Sequence, residues 1–336
     1  MKMLSLVTGA NGFIGSNLVK KLIEKGHNVR ALVLEGTSER FLEGLDCKIY
    51  YGDVTKANSF ELALQDVDVV FHLAAIPSIG WSEQIFKVNF EGTKNVFFKA
   101  LECDVERFVY MSSLVVHGFE NFNKADESTP LKDTKWYTRP YIKSKIKVEK
   151  FLKANMDKME VVIIRPAFMP FGPHDLLNAR EIIQRLDSEK TIPNINKGKS
   201  KICYVYVENL VDALEKAGTH PQAPGEIFLI SDNNPPYITM KQFIQEICKE
   251  LNVEAPTLNI PYKLAAPIVA LIDTFYRIFR RMKMPKISMY TLKVSKYDLF
   301  FQSDKAKKLL GYEPKISFKE AIKETIKWYK SEYNSL

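Results

Sequence analysis

Hydrophobic residues along the first half of the chain switch repeatedly between two periods. Met3 to Thr8 is a short apolar run, and from Ser16 to Lys25 the apolar positions return at helical spacing. The switch recurs. Strand-like runs at His27 to Leu34, up to Tyr50-Tyr51, at Val67 to Leu73, at Arg107 to Met111 and at Val161 to Ile164 are parted by helix-spaced stretches at Ser59 to Gln65, Ser82 to Cys103 and Pro140 to Ala154. Short strands alternating with helices predict an α/β fold, a doubly wound parallel sheet with helices on both faces. After Arg165-Pro166-Ala167 the pattern breaks, and Met169-Pro170-Phe171-Gly172-Pro173 opens an excursion to about Lys201. Tyr204 to Val207, a helix over Asn209 to Ala217 and a strand over Glu226 to Ser231 then read as a return to the sheet. From Asp232 the chain reads as a smaller C-terminal lobe with helices over Thr239 to Leu251 and Phe318 to Tyr333. The division expected is residues 1–167 completed by 202–232 for the sheet domain, and 168–201 with 233–336 for the lobe.

Composition narrows the class without naming a function. With 46% hydrophobic and 26% charged residues over 336 positions, the chain has enough apolar matter for a full core and no signature of disorder. The first strand begins at Met3, which leaves no room for a signal peptide and points to the cytoplasm. Cys47, Cys103, Cys203 and Cys248 are too far apart for a zinc or Cys-x-x-Cys pattern, so reduced thiols and no metal are expected. The net charge of +8 is spread over lysine-rich helix faces, and no motif for nucleic acid accompanies it.

Two stretches carry chemistry. Gly9-Ala-Asn-Gly12-Phe-Ile-Gly15 lies between the first strand and the first helix, where glycines let the backbone turn sharply and approach a pyrophosphate at the helix N-terminus. This makes the sheet domain a dinucleotide binder and the lobe its substrate side. The spacing is Gly-x-x-Gly-x-x-Gly, not the Gly-x-Gly-x-x-Gly of the usual fingerprint, so its place between strand and helix carries the assignment. The second strand ends near Glu35, an acid that would repel a 2′-phosphate and favours NAD, while Arg30 inside the strand keeps NADP open. In the second stretch, Pro140 starts a helix that puts Tyr141 and Lys145 one turn apart on one face. An ammonium beside a phenol favours the phenolate; a drop of three from its ordinary value of ~10 is worth roughly 4 kcal/mol and turns tyrosine into a usable base. Ser113, at the carboxyl end of the Arg107 to Met111 strand, can hold a substrate oxygen while Tyr141 trades its proton.

Taken together, Thr8-Gly9-Ala-Asn-Gly12-Phe-Ile-Gly15, Gly52-Asp53-Val54, His72-Leu-Ala74-Ala75, Val88-Asn89 with Gly92-Thr93, Ser112-Ser113, Pro140-Tyr141-x-x-Ser144-Lys145 and Arg165-Pro166 resemble, in order and spacing, the extended short-chain dehydrogenases/reductases, the NAD-dependent epimerase/dehydratase family. The resemblance implies a Rossmann sheet with Tyr141 as general acid/base. Lys145 would lower its pKa and bind the nicotinamide ribose, Ser113 would orient the substrate oxygen, and Asn89 would support the proton relay. It places the cofactor against Gly9, Asn11, Gly12, Phe13, Ile14 and Gly15, with Glu35, Asp53, Val54, Leu73, Ala74 and Ala75 along the strand ends. In the nucleotide-sugar branch an arginine for the diphosphate lies five residues before the position of Val207, and here that slot is Ile202. Tyr206-Val207-Glu208-Asn209 and the run from Ala255-Pro256 to Ile260-Pro261-Tyr262 look more like the 3β-hydroxysteroid and sterol-4-carboxylate 3-dehydrogenases. Leu34 and Val33, and His117 where many relatives have tyrosine, depart from the pattern.

The resulting expectation is an NAD(P)-dependent oxidoreductase that interconverts a secondary alcohol and a ketone on an apolar, sterol- or lipid-like substrate. A nucleotide-sugar epimerase or dehydratase is the alternative, and a non-catalytic dinucleotide sensor comes after it. A homodimer paired through the Asn89 and Tyr141 helices is what the resemblance suggests. One further segment stands out. From Tyr262 to Lys286, Leu264, Ile268, Leu271, Ile272, Phe275, Phe279 and Met282 follow helical spacing, while Asp273, Arg277, Arg280 and Arg281 gather on the other side, with Lys283 and Lys286 beyond. Such a helix is either a lid packed on the substrate pocket or a peripheral membrane contact.

Overall fold

The computed structural model describes residues 2–77, 80–132, 139–177, 179–188, 192–234, 237–279, 285 and 287–333. Its centre is a sheet of seven strands, β1 (Leu4–Thr8), β2 (Asn28–Val33), β3 (Lys48–Tyr51), β4 (Val69–His72), β5 (Arg107–Met111), β6 (Glu160–Pro166) and β7 (Ile227–Ile230). They are parallel throughout and lie in the order β7-β6-β5-β4-β1-β2-β3. The order reverses between β1 and β4, whose partners Thr8 and His72 end side by side. That crevice, at the carboxyl ends of the strands, is where such sheets bind ligands.

The apolar strand runs are continuous because both faces of the sheet are covered. Val7, Phe71, Val109, Val162 and Ile164 point into one buried cluster; their neighbours Leu6, Val70, Phe108, Val161 and Ile163 point into the other. Helix α1 (Phe13–Glu24) lies on the first face, and α2 (Gly92–Glu102) and α3 (Pro140–Lys153) lie on the second. On the first face α1 packs beside α4 (Val207–Thr219). The lobe contributes α5 (Met240–Leu251), opened by a capping box of Thr239 and Gln242, then α6 (Tyr262–Phe279) and α7 (Phe318–Tyr333).

Three expectations change. The stretch from Ser82 to Cys103 is not one uniform helix: a turn over Glu83–Phe86, a π-helical turn over Lys87–Glu91 and α2 follow one another. At the junction, a Cβ on Gly92 would stand 2.7 Å from the Val54 side chain, so only glycine fits there. The strand Tyr204–Tyr206 does not rejoin the central sheet but pairs in parallel with Met169–Phe171 inside the excursion, which also contains a helix over Ala179–Ser188. Strands of two or three residues offer no period to read, and the same holds for Asn194–Ile195 with Asn259–Ile260.

The third concerns α6. Its apolar row faces outward, with Leu264 65%, Leu271 74% and Phe279 68% exposed, while Val269 and Asp273 are buried against the body. The lid packed by its apolar face is therefore not what the structure contains. Arg280, Arg281, Met282, Lys283 and Lys286 lie outside the described residues.

Candidate active site

The glycine loop is shaped by contacts that leave no space for side chains. Gly9 has φ +67°, and a Cβ on it would lie 2.9 Å from the Ala74 Cα; one on Gly15 would lie 2.1 Å from the Gly9 carbonyl oxygen. Gly12 donates its N–H to that same carbonyl at 3.0 Å and stands as the N-cap of α1, with no side chain to occupy the free amides of the first turn. Helix α1 therefore begins at Phe13, three residues earlier than its apolar spacing indicates, and its N-terminus opens at the switch point, a cradle that suits a pyrophosphate. Phe13 and Ile14 are half-buried beside it, and Asn11 turns away, its amide donating to Thr37 Oγ1 and the Ser38 carbonyl at 2.8 Å each. Glu35 is exposed just past the end of β2. Asp53 is occupied by Thr55, whose N–H and hydroxyl outweigh burial and hold the carboxyl below its usual range. Val54 packs on Gly92, and its carbonyl accepts from Asn95.

A buried hydrogen-bond chain ties this loop to the rest of the site. Leu73 and Ala74 donate their N–H groups to Thr8 Oγ1 at 3.2 and 3.1 Å. Thr8 Oγ1 lies 2.8 Å from His72 Nδ1, and His72 Nε2 lies 2.9 Å from Thr93 Oγ1, which donates to the Asn89 carbonyl at 2.6 Å. Since Thr93 spends its proton on Asn89, His72 must donate from Nε2 and accept at Nδ1 from Thr8. The ring is thus neutral, in keeping with burial and the Lys145 charge, which push it down to about 3. Asn89 is buried, not solvent-facing as helix-interior asparagines usually are. Its Oδ1 accepts from the Ile76 N–H at 2.8 Å and its Nδ2 donates to Ser144 Oγ at 3.2 Å, so it reaches α3 through Ser144.

On α3 the helical spacing does bring Tyr141 and Lys145 together, with the Lys145 Nζ 5.7 Å from the centre of the Tyr141 ring. Ser113 lies beside the Tyr141 hydroxyl, where it favours the phenolate, and its Oγ accepts from the Val115 N–H at the start of a short 3-10 turn. One serine therefore both caps the turn and stands next to the tyrosine. The charge balance differs from expectation. Lys145 is 3% exposed, and its Nζ donates to the Met111 carbonyl at 2.7 Å instead of turning to the phenol. Burial dominates both groups: it pushes Tyr141 up to about 12 and Lys145 down to about 7, against the opposing pull of Glu149. In this state the tyrosine is a loaded proton donor.

Comparison with known proteins places the chain in a family. A sequence model of the 3-beta hydroxysteroid dehydrogenase/isomerase family matches residues 6–262. The chain belongs to that family. It is 28% identical to a 3 beta-hydroxysteroid dehydrogenase/Delta 5-->4-isomerase of Mycobacterium tuberculosis, over 98% of this chain and 91% of that protein. It is also 28% identical to a UDP-glucose 4-epimerase of Vibrio cholerae, over 95% of this chain and 93% of that one. Among solved structures, gox2253 superposes with a TM-score of 0.81 at 26% identity, covering 98% of this chain and 99% of the other.

In this chain of the 3-beta hydroxysteroid dehydrogenase/isomerase family, two features behind helix α3 join residues that are distant in the sequence. Glu149, one turn beyond Lys145, is fully buried and paired with Arg165, which donates from Nε at 3.0 Å and from Nη2 at 2.6 Å. Ser112 and His117 complete the cluster, His117 accepting at Nε2 from Arg165 and lying 3.2 Å from the Pro130 carbonyl through Nδ1. The spacing of Tyr141, Lys145 and Glu149 was the available signal. Arg139, the N-cap of α3, pairs with Asp273 of α6 at 2.5 Å and lies over Trp81; these residues are far apart in the chain and nothing in the sequence joins them. Ile202 is 1% exposed in the core, with its N–H on the Ile238 carbonyl, so it presents no charge.

Proposed function

We propose that the protein is an NAD-dependent oxidoreductase that interconverts a secondary alcohol and a ketone on an apolar, sterol-like substrate. The observation that carries the reading is Tyr141 with Ser113 beside its hydroxyl and the buried Lys145 one helical turn along, in a fold that also provides the glycine cradle. Gly9, Gly12 and Gly15 with the α1 N-terminus would hold the pyrophosphate, and Lys145 the nicotinamide ribose. A bound nicotinamide supplies the hydride acceptor or donor at the carbinol carbon. Ser113 orients the substrate oxygen, and Tyr141 gives that oxygen its proton in reduction or removes it in oxidation. Glu35, exposed past β2, supports NAD over NADP.

The similarity to the Mycobacterium tuberculosis enzyme supports a 3β-hydroxysteroid-type substrate. The epimerase reading has the Vibrio cholerae relative in its favour and the buried, uncharged Ile202 against it. Residues 168–201 and 233–336 form the substrate side in this reading. A cytoplasmic homodimer would pair through the α2 and α3 helices, where Phe98 is 37% exposed beside Phe151. The test is turnover of a 3β-hydroxysterol and of a 3-ketosteroid with NAD(H), followed by nicotinamide absorbance, in wild type and Tyr141→Phe. The variant should bind NAD as the wild type does and turn over neither substrate. Wild-type turnover retained in the variant overturns the mechanism.

A further inference from the structure

Helix α6 is inverted relative to an ordinary surface helix. Over 18 residues, about 27 Å, it turns Leu264, Ile268, Leu271, Phe275, Ile278 and Phe279 to solvent, each between 51% and 74% exposed. Its buried positions are Val269 and Asp273. Asp273 is buried, accepting from Arg139 at 2.5 Å and from the Met289 N–H at 3.0 Å, and Arg277 lies over the Trp81 ring at 5.1 Å. The outward apolar row is thus fixed by a buried ion pair on the opposite side and is not a consequence of slack packing. A contiguous row of this size on a surface marks a binding face.

What covers it is indicated by charge and length. From 262 to 286 the chain carries six basic residues, Lys263, Arg277, Arg280, Arg281, Lys283 and Lys286, and one acid, Asp273, which Arg139 already engages. Two copies meeting through this segment would bring like charges together, whereas an anionic surface would match them. Among the described residues no helix is long and apolar enough to cross a membrane. We propose that α6 lies flat on an anionic lipid surface with its apolar row in the interface. Arg139 caps the helix that bears Tyr141, so the ion pair that holds α6 from its buried side involves a residue two positions before that tyrosine. The value of this placement rests on the apolar-substrate reading above; the docking itself does not.

The test is co-sedimentation of the full chain with phosphatidylcholine vesicles, with and without phosphatidylglycerol, at low and high salt. Wild type should sediment with the anionic vesicles at low salt, and a Leu271→Glu/Phe275→Glu double variant should lose at least tenfold in affinity. Both positions are exposed, so the variant should keep the wild-type circular dichroism and NAD affinity. Wild-type protein left in the supernatant at low salt overturns the proposal, as does equal vesicle binding by the variant. So does a wild-type oligomer that the variant breaks while neither binds vesicles, since a second copy then covers the row. Vesicle binding without sterol turnover would sink the proposed activity and leave the docking standing.

Discussion

Replacing Lys145 by methionine should make the ligand-free protein more stable while removing its activity. The lysine is 3% exposed and its ammonium is pushed from 10.5 to about 7 by burial. At about 1.4 kcal/mol per pH decade, keeping that group in the fold costs about 4 kcal/mol at neutral pH. Methionine has a similar length and no charge, but it leaves the Met111 carbonyl without its 2.7 Å partner, a loss of about 1–3 kcal/mol. The net expectation is a gain of about 2 kcal/mol at pH 7. The sign with pH follows from the lowered value. Below about 7 both folded and unfolded chains hold the proton and the cost is full; between about 7 and 10.5 only the unfolded chain holds it, so wild-type stability climbs with pH; above 10.5 the cost is gone. Urea unfolding of both proteins at pH 7 and at about pH 10 reads this directly, because other groups cancel in the difference. A variant less stable than wild type at pH 7, or a difference that does not shrink toward high pH, refutes the reasoning.

Other expectations are simpler to check. Gly15→Ala should abolish NAD binding by calorimetry, because its Cβ would fall 2.1 Å from the Gly9 carbonyl oxygen; micromolar affinity in a folded variant would count against the cradle. NAD should bind at least tenfold tighter than NADP, a difference of about 1.4 kcal/mol, and Glu35→Ser should narrow the gap. Glu149→Gln leaves Arg165 buried with only half its partner and should cost about 3–5 kcal/mol in chemical denaturation, an effect that Arg165→Met in the same chain should partly relieve. UDP-glucose should bind weakly or not at all, since Ile202 offers its diphosphate no charge.

Much of the scaffold was legible because its signals are local and periodic. Arg107–Met111 coincides with the strand read from its apolar run, and the five-residue span from Tyr141 to Lys145 is itself a statement of helical geometry. Gly9, Gly12 and Gly15 sit where close backbone contact demands glycine. What failed to show were relations between distant residues and the balance of opposing terms. Tyr204–Tyr206 reads as a strand, but nothing local chooses Met169–Phe171 as its partner. The spacing of α6 separates an apolar face from a charged one, yet it does not show that Asp273 meets Arg139 across the fold and turns the apolar row outward. A lysine beside a tyrosine suggests a lowered phenol; with the ammonium turned to Met111, the lysine buried and the tyrosine half-buried, desolvation wins.

The Arg165–Glu149 pair also constrains how this chain can diverge. Its members come from two different elements, β6 and α3, and both are shut away from water, with His117 closing the cluster. Any one substitution strands a partner charge in the core, so the single-step intermediates are the unfit ones. Change here should be inherited as a block, and histidine at 117 makes sense only in company with the arginine that donates to it.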